Sequence, residues 1–186
     1  MSKPTDRIVE QPRPITHVGV TVTDVAAAVA WYQRVLGFQL LHGPVEYTAG
    51  EGYFGQLVAD MLGPKVVRGR IAMMDSGSGI ALELFDFAEP KPDRRGAEEN
   101  QEFYLHKTGT FHFCVVAPDV AGLARRIVEN GGKQRSKVWE FAPGVGFDVC
   151  YCEDPFGNIV EIYSHSTPQI WSTLAQLDRK AGEHQA

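Results

Sequence analysis

A duplication constrains this chain more than any other feature of its sequence. Thr16-His17-Val18-Gly19-Val20 aligns with Phe111-His112-Phe113-Cys114-Val115 at a separation of 95 residues, which also superimposes Asp24-Val25-Ala26 on Asp119-Val120-Ala121. A second pair, Gly79-Ile80-Ala81-Leu82-Glu83-Leu84-Phe85 and Gly157-Asn158-Ile159-Val160-Glu161-Ile162-Tyr163, matches at a separation of 78. Internal self-similarity of this kind marks structurally equivalent units. The separations differ by 17, so the first copy carries about that many additional residues, placed between Gly43 and Gly69 as a loop insertion.

Each copy reads as a βαβββ module, which makes the chain an α+β protein of two tandem modules. An alternating strand opens each copy, at 15–23 and 110–117. Asp24 and Asp119 follow as N-caps, because an Asp carboxylate can accept the free amides of a helix's first turn. Val25, Val29, Tyr32 and Leu36 recur at helical spacing and stop at Gly37; Val120, Leu123, Ile127 and Val128 do so before Gly131-Gly132. A weaker strand comes next, near 39–41 and 133–138. Two further strands form a hairpin, 70–74 with 80–86 and 147–152 with 158–164, turning through Asp75-Ser76-Gly77-Ser78-Gly79 and Asp154-Pro155-Phe156-Gly157. The expected boundaries are an N-terminal arm (1–13), module 1 (14–87, with the insertion at about 43–69), a Pro-rich charged linker (88–109), module 2 (110–165) and a C-terminal helix or tail (166–186).

Strand periodicity then sorts the polar residues. Successive side chains alternate faces, so Val18, Val20 and Val22 can pack beneath the helix while His17, Gly19 and Thr21 take the other face. The second copy repeats this, with Phe111, Phe113 and Val115 opposite His112 and Cys114. Glu83 and Glu161 point away from the apolar rows Leu82/Leu84 and Val160/Ile162. Each copy therefore sets one His and one Glu on the sheet face that its helix leaves uncovered. If the sheets curve towards one another, His17, Glu83, His112 and Glu161 converge on a divalent cation. Mixed nitrogen and oxygen donors favour Zn, Ni, Co, Fe or Mn over Ca or Mg. A strand His or Glu alone is usually a hydrogen-bonded or solvated residue; recurrence at matched positions is what favours ligation here.

Composition narrows the function classes. A net charge of -5 offers no electrostatic footprint for nucleic acid or an anionic membrane surface, and no apolar run approaches a membrane span. The N-terminus lacks the apolar core of a signal peptide. Three cysteines, Cys114, Cys150 and Cys152, do not make a disulfide framework and read as reduced, packed thiols in a cytoplasmic protein.

Three stretches carry a resemblance: His17-Val18-Gly19-Val20-Thr21-Val22-Thr23-Asp24, Trp31-Tyr32-Gln33-Arg34-Val35-Leu36-Gly37-Phe38, and Asp154-Pro155-Phe156-Gly157-Asn158-Ile159-Val160-Glu161. Over residues 14–165 the chain resembles the vicinal oxygen chelate superfamily, which holds glyoxalase I, methylmalonyl-CoA epimerase, extradiol dioxygenases and bleomycin resistance proteins. The resemblance implies paired modules forming an incomplete barrel around a metal-containing cleft, one divalent transition metal held by His17, Glu83, His112 and Glu161, and a homodimer acting on a small-molecule substrate. Glu83 tilts the pattern towards glyoxalase I, since extradiol dioxygenases lack a ligand there and the epimerases often have Gln.

The activity so implied is proton abstraction beside a carbonyl with a metal-stabilised enediolate, as in a lyase, isomerase or epimerase; Glu161 is the favoured base with Glu83 opposite, and the pseudo-symmetry of the modules leaves either able to act. The alternatives are an Fe(II) ring-cleaving dioxygenase, to which Tyr151 points, and a non-catalytic binding or resistance protein. Weaker expectations are a lid or plain surface excursion at 46–68, and cations (Arg13, Arg34, Arg70, Lys107) for an anionic substrate. His42, His106, His165 and His184 read as surface residues. A C-terminal stripe of Ile170, Leu174 and Leu177, with Trp171 nearby, is expected to dock on the body or on a second subunit.

Overall fold

A computed structural model describes residues 11–91 and 108–183, and the side chains up to residue 179. Module 1 comprises β1 (His17–Thr21), α1 (Val25–Leu36), β2 (Gln39–Thr48), α2 (Gly52–Leu62), β3 (Arg68–Asp75) and β4 (Ala81–Glu89). Module 2 comprises β5 (Phe113–Val116), α3 (Val120–Glu129), β6 (Lys133–Gln134), β7 (Trp139–Glu140), β8 (Asp148–Glu153) and β9 (Ile159–Tyr163), followed by α4 (Thr167–Glu183). The α+β architecture of two tandem βαβββ modules is as expected. The strand orders β1-β4-β3-β2 and β5-β9-β8-β6 are equivalent, with β7 also on β8 and neither sheet closed into a barrel. Among the described residues, no helix is long and apolar enough to cross a membrane.

The duplication extends to the hydrogen-bond register. Parallel pairing sets Gly19 opposite Glu83 and Cys114 opposite Glu161, the same positions of the repeat. The helices start as their Asp residues dictate: Asp24 Oδ1 accepts from Ala26 N at 2.9 Å and Ala27 N at 3.2 Å, and Asp119 Oδ1 from Gly122 N at 2.8 Å. Gly37 ends α1 in the left-handed region at φ 74°, a conformation that strains any residue with a Cβ.

Both helices bury their apolar stripe against their own sheet, and the two stripes also meet. Val25, Ala28, Trp31, Tyr32, Val120, Ala124, Ile127, Leu84, Cys150, Cys152 and Ile162 belong to one continuous core. Tyr32 is fully buried and donates its hydroxyl to Asp154 Oδ2 at 2.6 Å, across the module boundary. The same carboxylate accepts from Phe156 N at 2.9 Å and Asn158 N at 2.8 Å, which explains the Asp of the Asp154–Asn158 turn. Trp31 Nε1 reaches Asn130 O at 2.9 Å, and Arg34 Nε reaches Asn130 Oδ1 at 2.8 Å. The cysteines are free thiols; Cys150 and Cys152 pack inside with their sulfurs 4.0 Å apart.

Several expectations need correction. The opening strands are shorter than the alternating pattern, and His112 precedes β5 instead of lying within it. The second strand of module 2 breaks into β6 and β7, where Ser136 turns inward: its Oγ accepts from Tyr151 N at 2.9 Å. Strand β4 runs to Glu89, beyond the expected linker start; residues 92–107, with His106 and Lys107, lie outside the described residues, as does His184. The insertion does contain a helix, α2, but Tyr53 and Met61 are 85% and 71% exposed, so they cover nothing within the chain. The C-terminal helix docks through Ile170, which is fully buried, while Leu177 faces solvent.

Candidate metal centre

The repeat and the parallel register together position each His beside a Glu. Glu83 lies directly across from Gly19, and His17 is two residues before Gly19 on the same face, a diagonal neighbour. His17 Nε2 stands 3.4 Å from Glu83 Oε2. In module 2 the equivalent contact, His112 Nε2 to Glu161 Oε2, is 3.0 Å. Both carboxylates sit on the faces opposite their helices, as the alternation requires.

Donor type and spacing fit a transition-metal ion. Two donors each about 2.1 Å from one ion, at right angles, stand about 3 Å from each other. Each His–Glu pair has that separation with the imidazole Nε2 turned to the carboxylate, so each can supply two adjacent ligands. On the outer side His17 Nδ1 has Thr16 Oγ1 at 3.1 Å, whereas His112 Nδ1 is buried with no hydrogen-bond partner among the described residues. The four residues do not gather into one cluster. Among the described residues no group of three or more His, Cys, Asp or Glu is placed to hold an ion. The structure thus shows two half-sets, one per module.

The surroundings of the two glutamates differ. Across the sheet, Glu83 is flanked by Gly19 and Met73, neither of which can hydrogen-bond through its side chain with any strength. Glu161 is flanked by Cys114 and Tyr151 and followed by Tyr163 on the same face. Burial first, and then the Glu161 carboxylate, pushes the Cys114 thiol and the Tyr163 hydroxyl each up to about 12, and raises Tyr151 as well. All three therefore keep their protons at neutral pH and are available as donors to the carboxylate. Glu161 is 5% exposed, and the Glu83 side chain 18%.

The sequence reading named Tyr151 and placed Cys114 on the open face, but overlooked Tyr163, which period two also places beside Glu161. Tyr151 lies edge-on to His112, ring centroids 5.4 Å apart. Two of the candidate cations are engaged elsewhere: Arg70 pairs with Asp86 and with Asp24 at 3.4 Å, and Arg34 bridges to module 2. His42 is exposed on β2, in the cross-sheet row of Met73 and Glu83. His165 packs on Phe147 and has Ser164 Oγ at 2.9 Å. A cavity of about 350 Å³ opens between the β1 edge and the segment entering β5, and of the four candidate ligands only His112 borders it. The uncovered sheet faces, which carry both pairs, are thus the chemically equipped surfaces.

Comparison with known proteins identifies the family. The family model described as Glyoxalase/Bleomycin resistance protein/Dioxygenase superfamily matches residues 14–162. A 2-epi-5-epi-valiolone epimerase from Actinomyces sp is 31% identical over 118 residues, 63% of this chain and 59% of that protein, so the match spans under two thirds of that relative. A glyoxalase family protein from Bacillus cereus superposes with a TM-score of 0.61 at 18% identity, covering 87% of this chain and 97% of that one. Glyoxalase I from Zea mays does so with 0.54 at 20% identity, covering 82% of this chain and 44% of that one. At such identities the structural likeness establishes the fold alone. The family match runs through both modules and includes both His–Glu pairs, and the chain belongs to the glyoxalase/bleomycin resistance protein/dioxygenase superfamily.

Proposed function

We propose that this chain is a metal-dependent isomerase or epimerase of glyoxalase type that moves a proton at a carbon beside a carbonyl. The observation that carries this reading is the matched pairing of His17 with Glu83 and His112 with Glu161, each at the donor separation of adjacent ligands on one ion. A divalent ion (Zn, Ni, Co, Fe or Mn), when bound, would polarise a substrate carbonyl oxygen and so acidify the neighbouring C–H. The relative from Actinomyces sp, an epimerase, supports the class.

The two carboxylates divide the work unequally in this proposal. Glu161 lies buried beside Cys114 and Tyr151, so its carboxylate has little room to move. Glu83 has Gly19 on one side and a side chain 18% exposed, more than that of Glu161, so it can turn to a substrate proton within hydrogen-bond reach. Of the two bases that the sequence leaves open, this proposal takes Glu83. Since one chain offers two separate half-sets, we further propose a homodimer in which module 1 of one copy faces module 2 of the other, closing two equivalent sites. Its free thiols fit a reducing, cytoplasmic setting.

A second reading, an Fe(II) ring-cleaving dioxygenase, draws support from Tyr151 beside His112. The deciding experiment is elemental analysis of protein purified without chelators, together with His17→Ala and Glu161→Ala. Stoichiometric metal lost in both variants, with solvent deuterium entering 2-oxo thiohemiacetals or cyclic ketones, supports the isomerase. Iron with O₂ uptake on catechols supports the dioxygenase. A protein that takes up no metal is a binding protein instead.

A further inference from the structure

We propose that the cavity of about 350 Å³ between the β1 edge and the segment entering β5 holds the body of the substrate, and that this substrate is an uncharged molecule bearing several hydroxyl groups. As a statement about substrate this rests on the isomerase reading; as a statement about binding it stands on the cavity alone. Pockets for small molecules run from about 300 to 1,000 Å³, and this one lies at the lower end. Gly19 lines it and sits directly across the sheet from Glu83. His112 also lines it and stands 3.0 Å from Glu161. A molecule seated there is flanked by the surroundings of both His–Glu pairs.

Strand pairing turns a row of main-chain groups towards this cavity. Thr16 O accepts from Ala81 N, and Val22 N donates to Phe85 O, each at 2.8 Å. The even-numbered residues of this stretch therefore bond to β4, and the amides and carbonyls of Gly19 and Thr21 point to the opposite edge. Among the described residues no strand pairs with that edge, which leaves donors and acceptors in alternation. Asn158 Nδ2 donates to Thr21 O at 3.3 Å, a long bond. Thr21, Thr23 and Thr110 add hydroxyls that both donate and accept, as the hydroxyls of a ligand do. Phe111, Phe113 and Phe156 offer apolar surface to its carbon frame. Among the described residues the lining holds no Asp, Glu, Lys or Arg. A phosphate or carboxylate brought in would give up water without gaining a cation, which works against charged ligands.

The test titrates metal-free, isotope-labelled full-length protein with myo-inositol, its monophosphate and cyclohexanol, followed by two-dimensional amide NMR. The three probes are a ring rich in hydroxyls, the same ring with a charge, and a ring of equal size with a single hydroxyl. The expected result is that myo-inositol saturably shifts the Gly19, Thr21 and Thr110 amides and binds about tenfold or more tightly than the other two. Thr21→Val and Thr110→Val keep the side-chain shape at exposed positions. Each should weaken myo-inositol about two- to tenfold, the worth of one hydrogen bond, with the amide spectrum elsewhere unchanged. No saturable shift, shifts confined to other residues, or equal or tighter binding of the monophosphate or of cyclohexanol overturns the proposal. Wild-type affinity in both valine variants overturns it too. No metal is present in this titration, so it fails or succeeds separately from the isomerase reading, which metal content and deuterium exchange decide.

Discussion

Glu83 and Glu161 occupy the same position of a repeat and yet sit in different chemistry, which makes their roles separable. Glu83→Gln is expected to lower deuterium incorporation into a responsive ketone by about 10²- to 10⁴-fold, the usual worth of a general base, while metal is still bound. Glu161→Gln is expected to lose metal first, because it removes the more buried of the two carboxylates, 3.0 Å from its imidazole. Exchange followed by NMR beside metal content measures both; equal effects of the two variants would contradict the division. The His–Glu pairs were legible in the sequence because strand alternation and the duplication each place them on the same face. The contact of Trp171 with Phe141 was not, since no spacing tells which ring a helix outside the repeat will lie against.

The helices and turns carry the contacts that join the modules. Tyr32→Phe deletes the hydroxyl bonded to Asp154 and should cost about 1.5–3 kcal/mol in urea unfolding, the ordinary worth of a hydrogen bond to a charged group. Asp154 itself gives a pH signature. Burial raises its pKa above 3.8, so the native state holds this proton more tightly than the unfolded chain. Its contribution is then fully present below 3.8 and lost as pH rises through the raised native value. The stability of wild type minus that of Asp154→Asn should therefore fall as pH is raised from 3.8 and level off once the carboxyl has ionised; a difference that grows with pH contradicts the burial account. Helix starts were legible because Asp24 and Asp119 cap them by side-chain chemistry alone. The break between β6 and β7 was not, because it depends on Ser136 bonding to Tyr151 across the sheet, a tertiary contact.

At the scale of the molecule, one core unites two modules whose donor pairs remain apart. The proposed homodimer makes a sharp expectation for mixed chains. His17→Ala keeps an intact module 2 and Glu161→Ala an intact module 1. If sites form between copies, refolding the two variants together in equal amounts should restore about a quarter of the wild-type sites, since half of the dimers are mixed and each of those has one intact site. If the site closes within one chain, mixing restores none. Metal content after co-refolding reads the difference, and sedimentation equilibrium confirms the mass.

The central claim is that duplicated modules each contribute one imidazole and one carboxylate to a shared ion. X-ray absorption at the edge of the bound metal counts those ligands directly. Two imidazoles together with oxygen donors around the metal of the wild-type protein is the predicted result. A sulfur shell, or a metal with no imidazole ligand, would contradict the account.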